Sequence, residues 1–414
     1  MSTLPKRVPE KHLPFHYGWL IVAAGTLGIL ACLGFGRFSL GMLLPSMALS
    51  LDLTYSQMGF ISTGNFLGYL AAVLLSGLWA IRIGARRLIF IALLLVGVTM
   101  VLSSFATGFA YLLVVYTLTG MGSGAANVPI MSLVSSWFGP RVRGRAAGFI
   151  VIGSGFAIIF SGRFIPFING IYGAEGWRTG WLCLGLVVVA IAFVCYAVIR
   201  DKPADRGLEP LGSGEAARAP RPGAADRDVS IYRSVPIYHL GALYFLFGYT
   251  YVIYATFIVT TLVKERCFSE AAAGGLWSLV GFLSLFSGPV FGTLSDRLGR
   301  KAGLMTVFAL QATSYGLIAS GLSGPYLYLS ICLFGLVAWS IPSIMAAAVG
   351  DYVHPLKAAA AFGFITFIFG IGQITGPAVA GVVAEQTGSF SLSFLMASLL
   401  AGTAVVLAAF LRRA

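Results

Sequence analysis

Long apolar runs alternate with short polar segments along the whole chain, and within each run the hydrophobic residues are continuous. A helix that crosses a bilayer needs about 20 mostly apolar residues, whereas a membrane β-strand alternates polar and apolar positions. The pattern therefore predicts membrane-spanning helices and excludes a β-barrel. Twelve spans are expected, at residues 17–44, 55–79, 88–107, 109–133, 146–170, 178–199, 237–262, 271–292, 303–322, 325–348, 358–384 and 390–411.

Composition and charge agree with an all-α polytopic membrane protein. Of the 414 residues, 58% are hydrophobic and 10% are charged, and the formal net charge is +13. If the N-terminus is cytoplasmic, 22 of the 27 basic residues fall in cytoplasmic segments. This is the bias of the positive-inside rule. The charge therefore indicates topology, and no nucleic-acid partner is expected. We expect a bacterial inner-membrane protein, surrounded by lipid, with both termini cytoplasmic.

One polar stretch divides the predicted helices six and six. Residues 200–235 are rich in proline, glycine and charge, which is typical of a linker. The sequence thus predicts an N-terminal six-helix bundle at 1–199, a cytoplasmic linker at 200–235 and a C-terminal six-helix bundle at 236–414. Equal halves suggest an internal duplication.

The loop after the second helix of each half supports this duplication. Residues 292–301 read GTLSDRLGRK, and residues 77–87 read GLWAIRIGARR. These segments resemble the G-x-x-x-D-R-x-G-R-[RK] signature of the major facilitator superfamily. The resemblance implies a fold of twelve transmembrane helices in two pseudo-symmetric six-helix bundles, and a monomeric secondary transporter. Asp296 near a helix end can pair with basic groups, so Asp296, Arg297 and Arg300 are expected to gate the cytoplasmic face.

The sequence departs from the superfamily pattern in two places. Ile81 stands where the first-half signature carries an acid, and Tyr116 stands where many proton-coupled members carry an arginine. All fourteen Asp and Glu residues lie in predicted loops or at span ends. Without an embedded carboxylate, a transported proton is expected to travel with the substrate, or a counter-anion to be exchanged. The sequence leaves both open.

Two arginines fall inside predicted spans, each in a Gly-Arg-Phe triplet. A guanidinium stays charged, and placing it in hydrocarbon costs at least about 3 kcal/mol, so such residues are usually functional. Arg37 lies eight residues before Pro45, a spacing similar to that of a substrate-binding arginine in organophosphate–phosphate type facilitators. Arg163 lies nearer a span end. Both are candidates to bind an anionic substrate, and the alternative for both is that the side chain reaches the membrane surface.

Neutral polar and aromatic residues inside the spans are the other binding candidates. Amides hydrogen-bond ligands, although bonds between helices are their commoner use in membranes. Tyrosine and tryptophan offer a donor together with an apolar ring, and an interfacial aromatic belt is the alternative for them. The expected substrate-binding set adds to the arginines Asn65, Asn127, Tyr251, Tyr254, Trp277, Trp339 and Gln373.

Three further segments favour a particular kind of transporter. The HYGW start at 16–19, the loop at 137–148 and the stretch 200–210 are similar to bacterial monocarboxylate and oxalate–formate type facilitators. That subgroup usually carries an arginine in the eighth span, which this chain lacks. Transport of a small organic anion by alternating access is the favoured function. Efflux of drugs or amphiphiles is the alternative, and a transporter-fold sensor is a more remote one.

No motif indicates an enzyme. The sequence has no P-loop, no GxSxG and no HExxH, and its five cysteines and four histidines lack metal-ligand spacing. We therefore expect neither a cofactor nor a metal.

Overall fold

The computed structural model describes residues 15–212, 234–322, 324–353 and 355–411. Most of the predicted linker, at 213–233, and both chain termini lie outside these ranges. Among the described residues, twelve long helices follow one another, and the predicted all-α architecture is confirmed. Their bounds are α1 Gly18–Ser50, α2 Tyr55–Ile83, α3 Ala85–Ser103, α4 Phe109–Trp137, α5 Pro140–Tyr172, α6 Gly176–Val198, α7 Val235–Glu265, α8 Glu270–Leu298, α9 Arg300–Ala319, α10 Pro325–Tyr352, α11 Pro355–Thr387 and α12 Ser391–Ala409.

These helices are long and apolar enough to cross a membrane, and their packing repeats between the two halves. In the first half α2 packs on α4, and α3 packs on α6. In the second half the equivalent pairs are α8 with α10 and α9 with α12. Between the halves α2 lies against α11, and α5 lies against α8. The two six-helix bundles are therefore pseudo-symmetric, as the duplicated loop predicts.

The halves approach each other closely at the end away from the basic loops. Gly59 on α2 faces Gly381 on α11, and a Cβ at Gly381 would lie 2.6 Å from the carbonyl oxygen of Tyr55. Two carboxylates of the second half add polar links, since Glu270 accepts from the Asn169 amide at 2.6 Å and Glu385 accepts from the Ser56 N–H at 3.3 Å. This end of the interface is closed by backbone contact.

Residues 200–212 are folded, which the prediction of a linker over 200–235 did not anticipate. They lie across the basic end of the first bundle, where the Trp137 indole donates to the Arg200 carbonyl at 3.0 Å. The backbones of 137–139 and Leu211 also pair. Asp201 accepts from the Arg86 N–H at 2.7 Å, at the start of α3. Asp201, which follows α6, thus supplies a carboxylate to the turn between α2 and α3, where Ile81 stands in place of the acid of the signature.

Candidate functional site

Helix α1 changes its winding where the buried arginine lies. Residues Leu30–Phe38 form a π-helix between two α-helical parts, Gly18–Ile29 and Ser39–Ser50. A π-helix lengthens the hydrogen-bonded ring by one residue, and such turns are frequent at functional sites. Arg37 lies in its last turn, about 29 Å from the start of a helix about 50 Å long, at 1.5 Å per residue. The arginine is therefore well inside the bundle.

Side chains from α2 and α4 bond the carbonyl groups of this π-helical segment. The Ser123 hydroxyl donates to Cys32 O at 2.7 Å, the Asn65 amide donates to Gly36 O at 3.4 Å, and the Tyr116 hydroxyl donates to Arg37 O at 3.1 Å. A carbonyl oxygen has two lone pairs, so these bonds add to the helical ones. They hold the backbone of Arg37 between two neighbouring helices. Tyr116 thus helps to position Arg37.

We expect Tyr116→Phe to weaken this support without removing the site. The change deletes one buried hydrogen bond, which should destabilise the protein by about 0.5–2 kcal/mol. Tyr254→Phe is the matched control, because its hydroxyl bonds Ser330 inside the other bundle at 3.0 Å. Both variants should lose stability in thermal unfolding, but only Tyr116→Phe should also weaken ligand binding in calorimetry. Equal binding by the two variants would contradict a positioning role for Tyr116.

Aromatic rings surround the guanidinium of Arg37. The side chain is 8% exposed, and its Cζ lies 4.4 Å from the Phe66 ring centroid and 4.1 Å from that of Tyr69. Asn127 donates to the Tyr69 hydroxyl at 2.7 Å, so this amide supports the ring. Cation–π contacts partly compensate a buried cation. The Nε and Nη2 atoms are buried, and neither has a hydrogen-bond partner among the described residues. The guanidinium therefore has two donors free for a ligand.

A cavity of about 20 Å³ lies beside Arg37, between the two halves. It is large enough for about one water molecule, so an organic anion requires it to widen. Helices α1, α2 and α4 of the first half and α7 of the second half form its walls. Its lining residues are Arg37, Phe38, Leu40, Gly41, Ser62, Asn65, Phe66, Tyr116, Tyr251, Val252, Ala255 and Thr256.

Three aromatic residues of the second half lie near this region, and of these Tyr251 lines the cavity. Tyr251 accepts from the Gln373 amide, so its own hydroxyl proton remains available to a ligand. The Trp339 ring lies 4.9 Å from that of Phe38 and 5.8 Å from that of Tyr251. Trp277 lies 3.9 Å from where a Cβ of Gly41 would be. Both indole N–H groups are buried without a partner in the described part of the chain. This side of the interface is thus rich in donors.

The structure does not bring every predicted residue to the cavity. Arg163 is exposed on α5, and its Nη1 lies 3.8 Å from where a Cβ of Gly275 would be. Tyr254 is fully buried in the second bundle against Tyr315 and Phe334, although its three-residue spacing from Tyr251 makes the two neighbours on the surface of α7. Arg37, Asn65 and Tyr251 line the cavity itself, and Asn127 and Gln373 bond residues beside the ligand space.

The predicted gating residues lie at the basic end of the second bundle. Arg300 pairs with Asp296 and also donates to Asp351 at 2.8 Å, which links α8, α9 and α10. Arg297 is exposed. These ion pairs stay within one bundle, so they tie its helices together in this conformation.

Tyr69 and Phe66 are site residues that the sequence alone did not reveal. They lie three residues apart on α2 and contact the guanidinium, but aromatic residues in an apolar run look like ordinary core. Helical spacing was the available signal, because Tyr69 lies four positions after Asn65 and three after Phe66, and both spacings place side chains next to each other on a helix.

Comparisons with known proteins agree with this architecture. Residues 29–413 match the family described as "Uncharacterised MFS-type transporter YbfB". Among solved structures, the nucleoside transporter NupG superposes with a TM-score of 0.70 and 15% identity, covering 95% of this chain and 98% of that one. A bacterial homolog of the human lysosomal transporter Spinster, inward-facing and unoccupied, gives 0.68 and 16% identity, covering 95% of both chains. The fold is therefore that of MFS transporters.

Curated relatives cover nearly the whole chain. The hexuronate transporter of Bacillus subtilis is 25% identical, over 88% of each chain. The probable sulfoacetate transporter SauU of Cupriavidus necator is 24% identical, over 91% of this chain and 89% of its own. Monocarboxylate transporter 2 of Homo sapiens is 22% identical, over 92% and 82%. The chain belongs to the MFS-type transporter family that its loop signature predicts, and it is a multi-pass membrane transporter, not an enzyme.

Proposed function

We propose that this transporter carries a small organic anion of the monocarboxylate type, and that Arg37 binds its anionic group. The observation that carries the proposal is the pair of unpartnered donors, Nε and Nη2, on a buried guanidinium beside a cavity between the halves. A buried cation without a partner is costly unless a ligand neutralises it. A carboxylate can accept two parallel hydrogen bonds from a guanidinium.

The surroundings of Arg37 favour an anion over a cation. Within the described ranges, every Asp and Glu lies between membrane helices or within two residues of a helix end, and none pairs with Arg37. Tyr251 adds a donor to the cavity, and the unpartnered indole N–H groups of Trp277 and Trp339 lie nearby. A cationic drug would meet a fixed positive charge here, which disfavours the efflux alternative. Hexuronate, sulfoacetate and monocarboxylates, the substrates named for the relatives, are all organic anions.

Two observations support alternating access, namely the position of the cavity and the state of the interface. In two-bundle transporters the substrate site lies between the halves, which rock around it. Here the end away from the basic loops is closed by the approach of Gly59 to Gly381. If basic loops face the cytoplasm of a bacterial inner membrane, this conformation is closed to the outside. One chain forms the cavity, consistent with a monomer, and a proton would travel with the substrate or a counter-anion would be exchanged.

A thermal-shift screen tests the anion assignment. Purified protein is heated with small carboxylates, sulfonates and phosphates, and with cationic amphiphiles as the contrasting class. A ligand that binds only the folded state stabilises it by RT ln(1 + [L]/Kd), or about 2.7 kcal/mol at a hundredfold excess over Kd. We expect small carboxylates to raise the melting temperature. Stabilisation by the cationic amphiphiles alone would refute the proposal.

A further inference from the structure

The amide of Asn65 has a fixed orientation. Its Nδ2 donates to two backbone carbonyls, Gly36 O at 3.4 Å and Tyr116 O at 3.2 Å. Carbonyl oxygens only accept hydrogen bonds, so the amide nitrogen must face them and the amide cannot be reversed. Its Oδ1 is left as a buried acceptor with no partner among the residues described here, on a side chain that is 0% exposed and lines the Arg37 cavity.

The other neutral polar side chains of the cavity already have hydrogen-bond partners. The hydroxyls of Ser62 and Thr256 bond each other at 3.3 Å. Tyr116 donates to the Arg37 carbonyl, and Tyr251 accepts from Gln373. The remaining walls are apolar. Among the polar side chains that line the cavity, Arg37 therefore offers free donors, and the Asn65 Oδ1 is a buried acceptor with no partner in the described part of the chain.

The spacing between these two groups should persist during transport. Asn65 is bonded to Gly36, the residue before Arg37, and to Tyr116, whose hydroxyl bonds the Arg37 carbonyl. Gly36, Arg37, Asn65 and Tyr116 all lie in the first bundle. A rocking motion moves each bundle largely as a rigid body. Arg37 and Asn65 therefore present one constant pattern to a ligand in either conformation.

We propose that the cargo is a short hydroxycarboxylate, whose carboxylate binds Arg37 and whose hydroxyl donates to Asn65 Oδ1. This inference rests on the proposed function. A ligand with no donor leaves the Asn65 oxygen desolvated and unpaired, and sites built to bond a substrate hydroxyl reject analogues that lack it. A keto group or a second carboxylate at that position would place a hydrogen-bond acceptor against the Asn65 Oδ1, which is itself an acceptor. Asn65 is then the residue that determines specificity.

The test uses three acids with the same carbon skeleton and measures their binding to the purified full-length protein by calorimetry. Lactate has a hydroxyl at the second carbon, propionate has none, and pyruvate has a carbonyl. We expect lactate to bind about tenfold to a hundredfold more tightly than the other two. Equal affinities, a preference for propionate or pyruvate, or no binding of lactate would overturn the inference. A water molecule shared by Arg37 and Asn65 would give equal affinities.

Variants separate the role of Asn65 from a structural one. Asn65→Ala should bring the lactate-to-propionate affinity ratio close to one, whereas a merely structural defect would weaken both acids in proportion. Asn127→Ala is the matched control, because this amide supports Tyr69 and is absent from the cavity lining, so it should keep the ratio. Arg37→Ala should weaken all three acids together. A ratio that persists in Asn65→Ala overturns the inference, while unaltered affinities in Arg37→Ala count against the proposed function instead.

Discussion

Arg37→Ala should reduce affinity for the anionic substrate by about 30- to several-thousandfold. The change removes a charge-assisted contact, which a guanidinium and a carboxylate can form as a bidentate pair. Such a contact is worth roughly 2–5 kcal/mol in a buried site, and about 1.4 kcal/mol corresponds to a factor of ten in affinity. Arg37→Lys should restore only part of the loss, since an ammonium keeps the charge but lacks the planar fork. Titration calorimetry on monodisperse protein measures both variants.

Stability of the ligand-free protein distinguishes lost binding from lost folding. The Nε and Nη2 atoms of Arg37 are buried and unpartnered in the described part of the chain, so the free protein bears a desolvation cost that the contacts with Phe66 and Tyr69 offset only in part. A buried charge without an ion-pair partner is costly, so its removal offsets part of the packing that the side chain provided. We therefore expect the melting temperature of ligand-free Arg37→Ala to stay close to that of the wild type, while the ligand-induced increase disappears.

Arg163→Ala is the matched guanidinium control. Arg163 is exposed and lies against α8 outside the cavity lining, so its loss should cost less affinity. If it only steers anions, its effect should shrink with added salt, because exposed charges are screened over about 8 Å at physiological ionic strength. Near-native affinity in Arg37→Ala, or a larger loss in Arg163→Ala, would leave the anion assignment without its main support.

The comparison of these two arginines shows what a sequence can predict. Both occur as Gly-Arg-Phe within apolar runs, and hydropathy marks both as unusual. Which one lines the cavity depends on how α1 and α5 are rotated within the bundle, and that is set by tertiary packing. The same limit applies to Tyr251 and Tyr254. Helical spacing predicts that they are near each other, but not that one lines the cavity and the other fills the second bundle.

Local geometry around Arg37 was beyond the sequence for a different reason. The π-helix of Leu30–Phe38 receives hydrogen bonds from Ser123, Asn65 and Tyr116, which lie on other helices. No pattern within residues 30–38 indicates those partners. Residues 200–212 were interpreted as linker from their proline and charge, yet their backbone pairs with 137–139. Helix number and pseudo-symmetry were predictable because each rests on a long repeated signal.

Gly381→Ala should shift the transporter away from the conformation described here. A Cβ at this position would lie 2.6 Å from the Tyr55 carbonyl oxygen and 3.1 Å from the Cα of Gly59, so α2 and α11 would have to separate. Overpacking of this kind costs about 1–3 kcal/mol, which changes the ratio of closed to open states by about 5- to 150-fold. The substrate site should remain, but the closing step and hence transport should slow.

Gly363→Ala supplies the control on the same helix. A Cβ there would meet no atom within 4 Å, and alanine favours a helix over glycine by about 0.5–1 kcal/mol, so transport should be preserved.

Spin labels at Thr107 and Leu322, on the α3–α4 and α9–α10 loops of opposite halves, report the separation at the closed end. With native cysteines replaced, Gly381→Ala should lengthen this distance and Gly363→Ala should not. Equal distances and transport rates in the two variants would mean that the Gly59–Gly381 contact does not control closure. Control of closure by this contact depends on both residues being glycine, because only glycine lets the backbones of α2 and α11 approach so closely.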